Sequence, residues 1–195
     1  MLQEKLKKDT RPDHDRLEEL MFVHSIMDGT LSLSQYKKIL TANYFIHAAW
    51  EDLLYHTLSS QLAEELNISR RFKLPALLLD LQEIKMETPP ARHIGWTDFS
   101  YDNDQKVMGA LYVLEGATLG GHVIVKRLAA NPILKPLQLG FHYYQVYGNE
   151  LIPNWKLFCG ILNQQPEPAY PFILAGARRM FEQIALFTAS LSIAT

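Results

Sequence analysis

Two short constellations in this chain carry residue types that chemistry uses. The first is built from glycine. Gly116, Gly120 and Gly121 fall within six positions of Ala110-Leu-Tyr-Val-Leu-Glu-Gly-Ala-Thr-Leu-Gly-Gly-His-Val-Ile124, a stretch whose apolar residues recur at helical spacing. A helix-interior glycine costs about 1 kcal/mol relative to alanine, so the trio would cost roughly 2–3 kcal/mol. That is a large share of a typical total stability of about 5–15 kcal/mol. A missing Cβ permits close approach or a bend. The object approached is a neighbouring helix, the commoner case, or a flat ligand; the glycines alone fit both.

The second constellation is His14 and Glu18, one helical turn apart in Thr10-Arg-Pro-Asp-His14-Asp-Arg-Leu-Glu18. A histidine that gives one ring nitrogen to a metal needs an acceptor for the other. A carboxylate there fixes the tautomer and raises ligand basicity. The same spacing also describes a solvated His–Glu pair on a charged helix.

The elements that must position these residues read as helices. Leu2, Leu6, Leu17 and Leu20 mark a first amphipathic segment, and Pro12 predicts a bend or a helix start within it. Asp28-Gly-Thr30 reads as a turn. Ser32 and Gln35 have capping-box spacing and open a helix predicted to run to about Glu65. Pro75 suits the first turn of a helix ending near Ile84. Thr88-Pro-Pro-Ala and the stretch from Gly95 to Asp104 read as loops. The glycine-bearing helix is predicted from about Asp104 to Ala130, stopped by Asn131-Pro132. A short helical piece before Gly148 and a helix over about Pro153–Leu162 follow. Pro166, Pro168 and Pro171 then lead to a final helix. There is no internal repeat and no convincing β-alternation. The expected fold is an all-α, single-domain helical bundle spanning residues 1–195.

Composition agrees with one domain that has a real core: 195 residues, 48% hydrophobic and 21% charged. A net charge of −2 and the lack of a basic stripe interleaved with aromatics argue against nucleic acid as a partner. The single cysteine, Cys159, forbids an internal disulfide and suits a reducing, cytoplasmic setting. No signal-like N-terminus is seen and no run of about 18 apolar residues. The expectation is therefore no membrane partner, and a monomer or weak homodimer.

The remaining candidates have plain readings. His24 is expected at a turn or surface. His47 and Glu51 are spaced i,i+4 near Tyr44, Tyr55 and His56. Repeated Glu-x-x-His motifs of a di-iron bundle are absent, so they read as satisfied side chains on a partly buried helix. His122 adjoins the glycines and could reach a pocket edge. His93 and His142 show no partner by spacing. Cys159 lacks a nucleophile signature and reads as core. Phe141, Tyr143, Tyr144 and Tyr147 read as packing, with one tyrosine able to line a pocket.

Taken together, the two segments resemble the heme oxygenase family, and within it the bacterial, biliverdin-producing branch. Leu6-Lys-Lys-Asp-Thr10-x-x-x-His14-x-x-x-Glu18 resembles that family's proximal-histidine segment. Tyr112-Val-Leu-Glu-Gly116-Ala-Thr-Leu-Gly-Gly121 resembles its distal glycine helix. Weaker similarity at Leu74–Leu81, Phe141–Gly148 and Ala177–Phe181 extends the likeness over nearly the whole chain. The resemblance implies that heme is both cofactor and substrate, with His14 as axial ligand to its iron and Glu18 accepting the other ring N–H. It implies that Gly116 and Gly120 lie over the distal face and that Gly121 adds flexibility. Lys7 and Arg178, with Arg179 as a substitute, match basic positions facing the heme propionates. The implied reaction uses O2 and electrons from a ferredoxin or reductase, and gives biliverdin, CO and iron.

One position departs from the pattern. The animal enzymes carry an aspartate just after the first glycine and the bacterial relatives a small serine; this chain has Ala117, with Thr118 as the nearest hydroxyl. Two other activities therefore stand beside heme cleavage. One is a heme-binding or heme-carrying protein without turnover. The other is a metal-free helical bundle acting on thiamin-like compounds, for which Cys159 is the sole support.

Overall fold

Thr10 and Pro12 divide the N-terminal segment. In the computed structural model, which describes residues 1–88 and 99–191, α1 (Leu2–Asp9) ends at Thr10, whose hydroxyl donates to the Leu6 carbonyl at 2.8 Å. Helix α2 (Arg11–Leu20) starts there with Pro12 in its first turn, where a missing N–H leaves no bond unmade. A short α3 (Val23–Met27) precedes the predicted turn, in which Gly29 has φ +72°.

The Ser32–Gln35 capping box is present in both directions, at 3.1 and 2.8 Å, and opens α4 (Leu33–Thr57). This helix is shorter than predicted. Leu58 and Ser59 are extended and a separate α5 (Ser60–Glu65) follows. The break is held by the Ser59 N–H, which donates to Asp104 Oδ1 at 2.7 Å. Pro75 sits in the first turn of α6 (Leu74–Glu83), as expected.

The predicted Asp104–Ala130 helix is two helices. Asn103 caps α7 (Asp104–Gly116), and α8 (Gly121–Ala130) ends at Asn131. Between them the backbone tightens from i→i−4 to i→i−3 hydrogen bonds: Thr118 N–H to the Glu115 carbonyl, Leu119 to Gly116, and Gly121 to Thr118. The glycines thus occupy a helix junction rather than a helix interior, and most of the interior penalty expected from sequence is not incurred. Residues 104–130 are long and apolar enough, by composition, to cross a membrane, but an 18-residue window of that stretch is 56% buried inside the protein as core.

Helix α9 (Leu151–Asn163) and α10 (Tyr170–Ser190) complete the bundle, with Pro171 at the start of α10. Single 3₁₀ turns, including Tyr143–Gln145 and Gly148–Glu150, occupy the stretch before α9. There is no strand among the described residues. Of the predicted loops, Phe99–Asn103 is irregular, while residues 89–98, including His93, lie outside the described residues.

The core has two centres joined by α4. One gathers Ile46, Trp50 and Leu54 of α4 with α7, α9 and α10; the other gathers Tyr36, Ile39 and Leu40 with α6, α8 and Phe187. The long contact between α7 and α10 is made by two glycines that face each other's backbone. A Cβ at Gly109 would stand 2.0 Å from the Ile173 carbonyl oxygen, and one at Gly176 2.0 Å from that of Lys106. Helix α10 also packs on α2, so it carries both the segment with His14 and the segment with the glycines.

Candidate functional site

Helix α2 turns Leu17 and Leu20 partly inward but buries no residue fully, so most of its side chains stay available at the surface. His14 is half-exposed there. Its ring sits edge-on to Phe181 of α10, with centroids 6.3 Å apart. Its Nδ1 faces Glu18 Oε2 at 3.9 Å and Asp15 Oδ1 at 3.8 Å. Both carboxylates flank Nδ1 beyond hydrogen-bond distance, Asp15 as near as Glu18. Exposed pairs at this separation contribute little stability.

Beside His14 a cavity of about 600 Å³ opens between α2 and α10, within the range of small-molecule and cofactor sites. Its lining combines Phe99 and Phe181 with Arg16, Arg178 and Arg179 and with the carboxylates of Asp13 and Glu182; His14 adjoins it without lining it. The aromatic side chains offer contact to a flat apolar ligand, and the arginines offer charge to its carboxylates in competition with Asp13 and Glu182. Arg178 holds the end of α1 through the Asp9 carbonyl at 3.0 Å and faces Asp13 Oδ2 of α2 at 3.9 Å. Arg179 pairs with Glu182 at 2.6 Å. Lys7 is exposed in the last turn of α1.

None of the three glycines lines that cavity; their surroundings differ from one another. Gly121 is buried, and a Cβ there would stand 2.2 Å from the Tyr144 carbonyl oxygen. Gly121 is a close-packing glycine, which corrects the expectation that it adds flexibility. Gly116 and Gly120 are more open. A Cβ at Gly116 would meet only the Trp155 ring, at 3.8 Å, which is ordinary contact, and one at Gly120 would meet the flexible end of Ile124 at 3.2 Å. Neither has a positive φ. Neither packing nor backbone conformation demands glycine at these two positions.

The two constellations meet through their neighbours. Tyr112, one turn before Gly116, lies beside Thr10, one turn before His14, and burial pushes its hydroxyl up to about 12. Ala117 is exposed beside Gly116. Thr118 is buried with its hydroxyl donated to the Glu115 carbonyl at 2.8 Å, away from that surface. The change of hydrogen-bond register leaves the Ala117 carbonyl with no backbone donor among the described residues.

Glu115 is the residue that sequence reasoning missed. Its carboxylate turns inward and binds Arg71 Nη1 at 2.7 Å, Lys73 Nζ at 2.6 Å and the Tyr147 hydroxyl at 2.8 Å. All of these are buried. Burial pushes the Glu115 carboxyl up, but Lys73 and Arg71 outweigh it and hold it below the usual carboxylate value. Glu51 supplies the nearby second negative charge. It accepts the backbone N–H groups of Lys73 and Leu74 at 2.6 and 3.0 Å and sits 2.9 Å from His47 Nδ1. Burial outweighs Glu51 at His47 and keeps that imidazole below its ordinary value, hence neutral at pH 7. The His47–Glu51 pair is thus a satisfied buried pair, as its spacing suggested. The only sequence trace of the Glu115 cluster was a carboxylate in an apolar helix and two adjacent cations, and nothing in their spacing joined them.

The other histidines fall outward. His24 and His122 are exposed, and His56 bonds its own helix at the Asp52 carbonyl. His142 has a partner that spacing did not reveal, Glu83 Oε1 at 3.0 Å. Cys159 is buried, and burial pushes its thiol up to about 11, away from nucleophilic use.

Comparisons with known proteins agree on one family. The model of the family described as "Heme oxygenase" matches residues 1–184. A curated heme oxygenase of Xanthomonas campestris pv. campestris (strain 8004) is 27% identical over 165 residues, covering 82% of this chain and 92% of that protein. The crystal structure of the NO- and CO-bound heme oxygenase from Neisseria meningitidis superposes with a TM-score of 0.73 at 22% identity, covering 100% of this chain and 95% of that one. That last likeness speaks for the fold.

Proposed function

This chain belongs to the heme oxygenase family, whose enzymes degrade heme oxidatively, and from that premise we propose how its residues divide the work. Heme is the substrate, and it brings the iron and the ring that O2 and electrons act upon. The observation that carries the assignment is the pair Gly116 and Gly120, glycines that nothing in the protein's own packing requires. At these two positions, where the sequence resembles the family's distal glycine helix, the open space is assigned to the ligand.

The residues present fit heme. His14 offers Nε2 to the iron, with Glu18 closing on the Nδ1 proton so that the ligand is a neutral imidazole. Phe181 flanks the imidazole. Lys7, Arg178 and Arg179 supply cations for the two propionates; Arg178 in particular is held by weak exposed contacts that a carboxylate can replace. Gly116 and Gly120 lie against the opposite face, and Gly121, locked on the Tyr144 carbonyl, fixes where that backbone runs.

The glycine face presents no carboxylate of its own, because Glu115 points into the core and position 117 is alanine. Protons needed there are carried by ordered water held on backbone, for which the Ala117 carbonyl is the available acceptor. The products are biliverdin, CO and iron, with electrons drawn from a ferredoxin or reductase in the reducing setting of the cytoplasm.

Reconstitution with heme and a reducing system tests the assignment. The Soret band should decay and biliverdin should form; heme that survives both ferredoxin- and reductase-based donors sinks the turnover claim. His14→Ala should lose the axial-ligand spectrum and regain it with added imidazole. An unchanged spectrum refutes His14 as ligand.

A further inference from the structure

The cavity between α2 and α10 carries carboxylates of its own. Each arginine that α10 gives to the lining faces an acid that lines it too: Arg178 Nε lies 3.9 Å from Asp13 Oδ2, and Arg179 Nη1 lies 2.6 Å from Glu182 Oε2. The two pairs differ in span. Arg179 and Glu182 stand one turn apart on α10, so their pair joins nothing across the cavity. Arg178 and Asp13 stand on different helices, so theirs runs from α10 to α2, at the residue before His14. It is a loose pair, 3.9 Å long between side chains 55% and 37% exposed. The firmer bond of Arg178 uses another nitrogen, Nη2, which donates to the Asp9 carbonyl at 3.0 Å. Displacing Asp13 therefore costs little and leaves the guanidinium held in place.

We infer that Asp13 is an internal competitor for the ligand's carboxylate. It faces Arg178 when the site is empty, yields to a propionate on binding, and returns as the ring-opened product leaves. The inference rests on the reading of Arg178 as a propionate partner. Its chemical basis is what ring opening leaves unchanged. The reaction removes the iron and one bridging carbon, but both propionates survive, so a cation that holds the substrate by a carboxylate holds the product as well. An acid already beside that cation lowers the affinity for both. It exchanges one carboxylate for another, and so lets the product go without leaving the guanidinium bare. A ligand with esterified ends does not compete for Arg178 and meets the pair closed.

Asp13→Asn tests this, since it removes the charge and keeps the shape. Ferric heme, followed at its Soret band, should bind the variant roughly two- to fivefold more tightly, the scale of an exposed ion pair. Biliverdin should bind it more tightly by a similar factor. The gain should shrink in about 1 M salt, which screens an exposed pair. Ferric heme dimethyl ester, whose propionates carry no charge, should bind parent and variant alike. Glu19→Gln removes an exposed charge of the same helix that does not line the cavity, and it should leave heme affinity at the parental value. In an Arg178→Gln background Asp13→Asn should change nothing, because the pair is already gone. Heme binding that is unchanged or weaker in Asp13→Asn overturns the inference. So does equal tightening toward the ester or in Glu19→Gln, and so does a gain that persists without Arg178. If Arg178→Gln alone binds heme as tightly as the parent, the reading of Arg178 as a propionate partner fails and the inference falls with it, which separates the two failures.

Discussion

Gly116→Ala separates a glycine kept for the fold from one kept for a ligand. The added Cβ meets Trp155 at 3.8 Å, an ordinary contact, and the position ends α7 without a positive φ. No strain follows, and alanine restricts the unfolded chain. The apo protein should gain about 0.4–1 kcal/mol, a rise in Tm of roughly 1–4 °C for a chain of this size. Gly121→Ala, five residues on, is the control. Its Cβ would stand 2.2 Å from a backbone oxygen that cannot move alone, so the junction must shift at a cost of about 1–3 kcal/mol or more. The functional order is the reverse of a stability order. Gly116→Ala puts a methyl group where the ring's face should lie, and single-turnover loss of the Soret band should slow by roughly tenfold or more. Thermal unfolding of the apo protein beside single-turnover absorption gives both numbers. If Gly116→Ala is as damaging to stability as Gly121→Ala, or is stable and turns heme over at the parental rate, the assignment of Gly116 to the heme face is wrong.

Two further expectations concern the buried charges. Glu115→Ala leaves Arg71 and Lys73 buried without their shared carboxylate and should cost about 3–5 kcal/mol in urea unfolding; a loss under about 1 kcal/mol, the scale of an exposed pair, would contradict the buried geometry. Acid should expose the same cluster. Glu115 and Glu51 are both held below the ordinary carboxylate value, against their burial, by Lys73 and Arg71 in one case and by His47 and two backbone N–H groups in the other. Their stabilisation is therefore complete above the unfolded value of about 4.3. It is lost as pH falls through the lower folded values. The urea midpoint should begin to fall below about pH 6.5, where the unfolded chain protonates His47 but the folded chain keeps it neutral, and fall further below about 4.3 as the two carboxylates follow; a midpoint that stays level to pH 3 would refute it.

Much of this was legible in the chain. Local signals carried it wherever one element decides its own ends: the Ser32–Gln35 box, Pro12, Pro75 and Asn131 all act within a turn of themselves. The two long helices were over-extended for a shared reason. Leu58–Ser59 and Ala117–Gly120 interrupt patterns that stay apolar and helical in period, and the breaks are fixed by a distant carboxylate at Asp104 and by packing of Gly121 on Tyr144. Gly109 and Gly176 carry no local signal of their role, because the close approach that needs them joins segments over sixty residues apart. The Glu115 cluster was hidden likewise, since Arg71, Lys73 and Tyr147 reach it from elsewhere in the chain. The histidine and glycine segments could be paired only through their family resemblance, as their spacing alone fits plain surface and packing roles.

The backbone-on-backbone crossing at Gly109 and Gly176 also determines how a large flat molecule gets in and out. With no side chain between them, α7 and α10 have no layer that can slide, so the wall carrying Gly116 and the wall carrying Phe181 and Arg178 move as one body. Breathing must come from the other side. There Arg178 of α10 binds the end of α1 at the Asp9 carbonyl and α2 at Asp13, and the Lys5 ammonium of α1 lies 4.0 Å over the Tyr170 ring, exposed contacts beside the buried anchor Leu6. On the proposed reading of His14 as the iron's ligand, any opening of the N-terminal helices would carry the imidazole away from the ring, so that release of the ring and loss of that ligand would be one event.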